Sequence, residues 1–178
     1  MTILIFCHIT GLLLICWLGL RSGFGLSYSS FSYKVASAPS GPISLRPVAD
    51  MLATTRQAGR TFPSSSLLGA AAPLISFAIN VTNTGKTDAD DAVLGFAAPP
   101  GAGEDGVPLQ SLFGFERVHV KAGESVTVWL YPSLLEFTTV DLDGGRQLSV
   151  AGDFTFKFGV RETSTLGQGY IEHKVRVE

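Results

Sequence analysis

The chain has 178 residues, enough for one domain plus its ends, and it carries 13 Lys and Arg against 15 Asp and Glu. Its formal net charge is −2 and its basic residues are scattered, which argues against a nucleic-acid-binding protein, because phosphate contacts need a basic face. Both cysteines, Cys7 and Cys16, lie in the first 20 residues, so the rest of the chain has no disulfide and no cysteine-based zinc site.

The first 20 residues form an apolar leader that contains no Asp, Glu, Lys or Arg. A run of this length is at the lower end of what spans a bilayer, so the sequence predicts an apolar N-terminal helix within residues 1–22. Three interpretations stay open. In the first, the leader is a secretory signal, which places the protein outside the cell or in the secretory pathway. In the second, residues 1–20 are a membrane anchor. In the third, the leader is a start-site artefact.

After the leader, apolar and polar residues alternate over short runs, which is typical of β-strands. Residues 27–37 and 74–82 show this alternation most clearly. Residues 38–73 are rich in Pro, Ser, Ala and Gly and are predicted to form a long loop with a short helical turn at 48–55. The acidic stretch at 88–91 is predicted to be a solvated turn that leads into a strand at 92–98.

Two hairpins are predicted in the second half of the chain. The runs 108–120 and 125–131 are joined by a short Gly-containing turn, and the runs 137–141 and 146–150 flank an Asp-Gly turn. About eight strands without a long amphipathic helix predict an all-β fold, a two-sheet antiparallel sandwich. Its last two strands are predicted at 153–160, with Phe154, Phe156 and Phe158 facing inward, and at 170–177.

Several segments resemble one enzyme family. Residues 25–31 read Gly-Leu-Ser-Tyr-Ser-Ser-Phe and resemble the Gly-Leu-Ser-Tyr-Thr-x-Phe signature of family 3 glycoside hydrolases. Residues 81–85 resemble that family's Val-x-Asn-Thr-Gly turn. Residues 112–118 with the Gly-Glu-Ser turn at 123–125 are the most specific match. The resemblance covers residues 23–178.

The resemblance implies an immunoglobulin or fibronectin type III-like sandwich, the domain found at the C-terminal end of these enzymes. In the family, hydrolysis of terminal β-linked xylose or glucose needs a pair of carboxyl groups that flank the glycosidic bond. That pair belongs to two other domains, which have no counterpart in residues 23–178. The resemblance therefore implies a non-catalytic accessory domain without a cofactor, whose partners are the catalytic domains.

Two alternatives stay open beside this interpretation. The chain is a stand-alone carbohydrate-binding module for β-linked polysaccharide, which needs exposed aromatic rings that stack on sugars. Otherwise it is a membrane-anchored interaction module, which depends entirely on the leader.

Candidate contact residues for catalytic domains or sugar are aromatic or charged. Glu116-Arg117 is interpreted as a structural ion pair or a domain-contact pair, and Asn80 begins the N-glycosylation sequon Asn80-Val81-Thr82. His119 and His173 have no Cys or His nearby in sequence, so no metal residue is predicted, and neither is a catalytic or cofactor residue. Trp129 has the opposite parity to Val128 and Leu130, so it is predicted to lie at a surface or an interface. The interdomain or sugar-contact candidates are Trp129, Tyr131, Phe113, Phe115 and Arg117, with Tyr170 as a further aromatic.

Overall fold

The computed structural model describes residues 5–9, 12–16, 28–57, 75–104, 107–140, 146–148, 151–159 and 170–178. Within the leader it places two antiparallel strands, β1 (Ile5–Ile9) and β2 (Leu12–Cys16). The predicted N-terminal helix is therefore wrong for these residues, since a short, uniformly apolar run does not distinguish helix from strand and Ile and Phe favour the strand. Whether the leader is a signal, an anchor or an artefact stays a prediction.

The segment predicted to be a long loop contains a helix, α1 (Arg46–Gln57), longer than the expected turn. Pro47 fits its first turn, where a missing N–H costs nothing. Val48 and Leu52, four residues apart, are buried and pack against Leu134 and Leu135. Residues 58–73 of the predicted loop lie outside the described residues. Across the described residues, no helix is long and apolar enough to cross a membrane.

The predicted two-sheet antiparallel sandwich is confirmed. One sheet has three strands, in the order β3 (Phe31–Ser37), β4 (Phe77–Asn83) and β7 (Ser125–Leu130). The other has four, in the order β11 (Ile171–Val177), β10 (Gly152–Phe158), β5 (Ala89–Ala98) and β6 (Ser111–Val120). A short pair, β8 (Thr138–Val140) with β9 (Arg146–Leu148), forms the second predicted hairpin, whose turn lies outside the described residues.

Phenylalanine rings from both sheets meet in the core. Phe77 of the three-stranded sheet is fully buried, and its ring centroid lies 4.8 Å from Phe156 and 4.9 Å from Phe158 of the four-stranded sheet. Phe154 packs at 5.0 Å on Phe137, which ends a 3-10 helical turn (Leu134–Phe137). The inward position predicted for Phe154, Phe156 and Phe158 is confirmed, and these contacts hold the sheets face to face.

The hairpin predicted from 108–120 and 125–131 is wrong. β6 pairs with β5 in the four-stranded sheet, whereas β7 pairs with β4 in the three-stranded sheet. The turn at 121–124, with Gly123 at a φ of 78°, therefore carries the chain from one sheet to the other. A Gly-containing turn between two alternating runs looks the same in sequence for a hairpin and for a change of sheet.

A buried asparagine at the end of β4 fixes this crossing. Asn83 is fully buried, and its side-chain oxygen accepts hydrogen bonds from the Ser29 hydroxyl at 2.6 Å and the Gly85 amide at 2.9 Å. Its side-chain nitrogen donates to the backbone oxygens of Thr87 and Val120, both at 2.9 Å. An amide side chain can donate two hydrogen bonds and accept two, so all the hydrogen-bonding positions of the Asn83 side chain are filled without water.

The backbone of Asn83 holds the same turn from the other side. Its amide donates to the Glu124 oxygen at 3.0 Å, and its carbonyl accepts from the Gly123 amide at 3.0 Å. Gly85 is required beside it, because a β-carbon there would collide with the hydroxyl of Ser29. One residue thus joins the β4–β5 turn, the β6–β7 turn and the segment that leads into β3.

Replacing Asn83 with Ala should therefore be unusually costly. The change leaves several buried partners unpaired, and we expect it to lower the free energy of unfolding by about 4 kcal/mol. Asn80→Ala on the same strand is the matched control, because Asn80 is half-buried on the outer face; we expect a change within about 0.5 kcal/mol. Urea unfolding followed by circular dichroism measures both variants, each produced in a bacterial host. Equal losses for the two variants would contradict the role given to Asn83.

Candidate interaction surfaces

The outer face of the four-stranded sheet carries an apolar patch formed by Leu94, Phe96, Leu112 and Phe115. Leu94 lies opposite Phe115 and Phe96 lies opposite Leu112 in the β5–β6 register. Phe115 is 65% exposed and Leu112 is 50% exposed, while the two β5 residues are half-buried. A cluster of this kind, at the edge of a sheet, is typical of a contact surface.

A β-bulge in β6 makes two nearby phenylalanines, Phe113 and Phe115, point to opposite faces of the sheet. The register shifts between Gly95 and Phe96, so Phe113 is the extra residue on β6. Its side chain turns inward, with its ring centroid 5.8 Å from Phe156 and 6.1 Å from Phe158. Gly95 makes room for that ring, since a β-carbon there would lie 2.6 Å from it. Phe113 is thus partly buried against the core, whereas Phe115 points outward.

Three charged or polar groups continue the same face beyond the apolar patch. The Asp90 carboxylate accepts from the Arg117 guanidinium at 2.8 Å and contacts His119 Nδ1 at 2.6 Å. These contacts, first with His119 and then with Arg117, hold the pKa of Asp90 below its ordinary value. The ion pair of Arg117 is therefore made across the strands with Asp90. Adjacent Glu116 points to the opposite face, as successive strand residues do.

The acidic stretch is part of the sheet, which corrects the prediction of a solvated turn. β5 begins at Ala89, so Asp90 and Asp91 lie within the strand. Asp91 accepts a hydrogen bond from the Tyr33 hydroxyl of the opposite sheet at 2.8 Å. Burial raises the pKa of Asp91, and burial with the adjacent carboxylate raises that of Tyr33. Asp88 accepts from the Ala122 amide at 2.9 Å, which braces the crossing turn.

The outer face of the three-stranded sheet presents a different pair of aromatics. Trp129 of β7 is 48% exposed, which confirms its predicted surface position, and Tyr131 just beyond the strand is 52% exposed. Their neighbours Val128, Leu130 and Pro132 are buried, so both rings face the same outer side. They stand two residues apart, a spacing of about 7 Å along a strand.

Tyr170 lies apart from that pair. The Lys157 ammonium of β10 is 5.0 Å from its ring centroid and 3.4 Å from the Glu172 carboxylate. His173 packs edge-on against Phe77 at 5.9 Å between ring centroids. Within the described parts of the chain, no group of three or more His, Cys, Asp or Glu side chains could hold a metal ion.

The predicted contact residues therefore do not form one surface. Trp129 and Tyr131 face outward from the three-stranded sheet, Phe115 and Arg117 face outward from the four-stranded sheet, and Phe113 lies toward the core. The sequence interpretation missed Leu112, Leu94 and Phe96 as surface residues. An apolar residue at the polar parity of an alternating strand is the signal that could have identified them.

Relatives of this chain were found among characterised and solved proteins, although no family model matches it. It is 29% identical over 164 residues to Beta-D-xylosidase 1 of Arabidopsis thaliana, covering 88% of this chain and 19% of that protein. It is 29% identical over 156 residues to Exo-1,4-beta-xylosidase bxlB of Emericella nidulans, covering 87% and 18%.

Solved structures with the same fold belong to β-glucosidases. The enzyme from Erythrobacter marinus superposes with a TM-score of 0.59 at 19% identity, over 88% of this chain and 16% of that one. The enzyme from Listeria innocua gives 0.58 at 18% identity, over 87% and 17%.

These findings confirm the resemblance to part of the family 3 glycoside hydrolases of the β-xylosidase and β-glucosidase type. The chain spans less than a fifth of the length of the relatives just named.

The bond between Tyr33 and Asp91 should give a pH-dependent stability effect. Burial raises the folded-state pKa of Asp91 above its unfolded value of about 4. The protonated carboxyl therefore contributes to folding stability below about pH 4. That contribution is lost as the pH rises through the folded-state pKa. The Tyr33 hydroxyl offsets the cost of the ionised form. We expect Tyr33→Phe to lose about 2 kcal/mol at pH 7 and less at pH 4.

Urea unfolding between pH 4 and pH 8 measures this difference. Tyr131→Phe is the matched control, because that ring is exposed and should lose no stability at either pH. A Tyr33→Phe loss that grows toward acid pH would contradict the assignment.

The bulge predicts opposite outcomes for two phenylalanines two residues apart. Phe113→Ala should lower the free energy of unfolding by about 3 kcal/mol, because it opens a cavity beside Phe156 and Phe158. Phe115→Ala should change it by less than about 0.5 kcal/mol, because the ring is exposed. Chemical denaturation of both variants measures the two losses in the free energy of unfolding. A larger loss for Phe115→Ala than for Phe113→Ala would contradict the inward position that the bulge gives Phe113.

Proposed function

We propose that this chain acts as a non-catalytic, fibronectin type III-like accessory domain of a family 3 glycoside hydrolase. The observation that carries the proposal is the pattern of coverage: nearly all of this chain matches less than a fifth of each xylosidase. The division into sheets of three and four strands, β3-β4-β7 and β11-β10-β5-β6, supports the fibronectin type III-like assignment.

Several acidic residues of the described region have structural partners. Asp90 is held by Arg117 and His119, and Asp91 by Tyr33. The Glu136 carboxylate accepts from the Ser111 hydroxyl at 2.7 Å, and burial raises its pKa. These contacts supply structural reasons for the carboxylates most open to a catalytic interpretation. Glycoside hydrolysis, by contrast, needs two carboxyl groups that face each other across a sugar.

The partner we propose is the catalytic region of the parent enzyme, and the docking surface is the apolar patch. Phe115 and Leu112 expose apolar area that a partner can bury, and Asp90 with Arg117 forms a charged rim that fixes orientation. The parent activity is hydrolysis of terminal β-linked xylose or glucose, in line with the names of the relatives.

A chimera tests the docking surface directly. Residues 23–178 replace the matching segment of the Arabidopsis xylosidase, and hydrolysis of a nitrophenyl xyloside is followed after heating. Burial of a Phe or Leu side chain stabilises by about 2 kcal/mol. We therefore expect Leu112→Ser with Phe115→Ser to lower the inactivation temperature by several degrees.

Lys34→Ser, an exposed side chain on the outer face of the other sheet, is the control, and its chimera should inactivate like the parent chimera. A chimera without activity would contradict the accessory-domain proposal. Equal inactivation of all three chimeras would leave that proposal standing but would exclude the apolar patch as the docking surface.

A second candidate function rests on Trp129 and Tyr131. Two exposed rings, one on edge strand β7 and one just beyond it, can stack on successive sugar rings of a polysaccharide. Retardation of the full chain on xylan in affinity electrophoresis, lost in Trp129→Ala, would support a carbohydrate-binding module. Unretarded migration of the folded chain would exclude it.

A further inference from the structure

The outer face of the three-stranded sheet is mostly polar, with the rings of Trp129 and Tyr131 at one end of β7. Asn80 sits at its centre, on the middle strand, between Lys34 of β3 and Thr127 of β7 in the pairing register. Lys34 and Thr127 are exposed, and Asn80 is half-buried. The remaining polar side chains of this face are Ser32, Ser37, Thr82 and Ser125.

Asn80 also begins the Asn-Val-Thr sequon, and it is one of two asparagines in the chain. The other, Asn83, is followed by Thr84 and Gly85 and so lies outside a sequon. Inner-face neighbour Val81 is buried, which directs the Asn80 amide to the outer face. Glycan transfer acts on the chain before it folds, so the folded sheet has only to leave room for the sugar, and this face does.

Trp129 stands in the position that a sugar on Asn80 would reach. Trp129 lies opposite Ala78, two residues along β4 from Asn80, so the two side chains are diagonal neighbours on one face. Diagonal neighbours in antiparallel sheets are about 7–8 Å apart, about the reach of one sugar ring. Ala78 opposite Trp129 is 2% exposed, whereas Trp129 itself is 48% exposed. An apolar sugar face would cover the exposed part of the ring.

We propose that Asn80 carries an N-linked glycan whose first N-acetylglucosamine packs on the indole of Trp129. In the transfer, the Asn80 amide nitrogen bonds to C1 of the sugar as the bond from C1 to the oxygen of a lipid-linked pyrophosphate breaks. The lipid pyrophosphate leaves with the bonding electrons, and the amide nitrogen loses one proton to a base of the transferase. The reaction needs entry into the secretory pathway, as the leader prediction allows.

The proposal goes beyond the accessory-domain function, because it assigns the two outer faces to different tasks. A glycan at the centre of the three-stranded sheet keeps that face in solvent. The apolar patch, on the opposite side of the sandwich, is then the face left for a protein partner.

The full chain, secreted from yeast behind a host signal, tests the modification. We expect intact-mass measurement to show a glycan that peptide N-glycosidase F removes, present in Trp129→Ala and absent from Asn80→Gln and Thr82→Ala. Translation of the same chain, behind the same host signal, with microsomal membranes also reports glycan attachment and does not require a stable fold. A folded, secreted chain without a glycan at Asn80, or unmodified chain in microsomes, would overturn the site.

Stacking on Trp129 is tested by the effect of the sugar on stability. Endoglycosidase H trims the glycan to one sugar. The trimmed protein should melt about 3 °C higher than the Asn80→Gln variant, which carries no sugar at this position. Trp129→Ala should abolish this gain, whereas Lys34→Ala, on the other side of Asn80, should keep it. A gain that survives in Trp129→Ala would overturn the stacking.

Discussion

The hydrogen bonds of Asn83 are the constraint on which the rest of the sandwich depends. A buried amide with all four positions filled ties the end of β4 to the turn that follows β6. That tie sends β7 into the three-stranded sheet beside β4 and leaves β6 as the edge of the four-stranded sheet. Because β6 has a paired strand on one side only, Phe115 and Leu112 are more exposed than Leu94 and Phe96 of the inner strand β5.

The two outer faces acquire different characters from local features of their strands. On β6, the bulge at Phe113 allows one phenylalanine to fill the core while another, two residues on, stays outside. On the three-stranded sheet, polar side chains surround Asn80, and Trp129 and Tyr131 are the exposed rings at one end of β7. An apolar face suits contact with protein, and a polar face with exposed aromatic rings suits contact with sugar. The division of labour proposed for this domain rests on that difference.

The alternation of apolar and polar residues predicted the strands and the buried phenylalanines well, because a period of two depends only on burial of one face of the strand. It failed where strand pairing or side-chain direction depends on residues far away in the sequence. The turn at 121–124 reads as a hairpin until Asn83 is known to bind it. Phe113 was grouped with Phe115 because a bulge, which reverses parity, leaves no trace in composition. Asp91 reads as a solvated residue until the Tyr33 hydroxyl reaches it from the other sheet. Trp129 needed only its own parity, so its surface position could be predicted.

The central claim is that this sequence works as an accessory domain docked on a catalytic region. The measurement that tests it most directly is size-exclusion chromatography of the native protein, with peptides identified by mass spectrometry. The account predicts that peptides from residues 23–178 elute well above 18.9 kDa, together with peptides of a glycoside hydrolase catalytic region, in one polypeptide or one complex. Elution as a monomer of 18.9 kDa or less, free of such peptides, would contradict it.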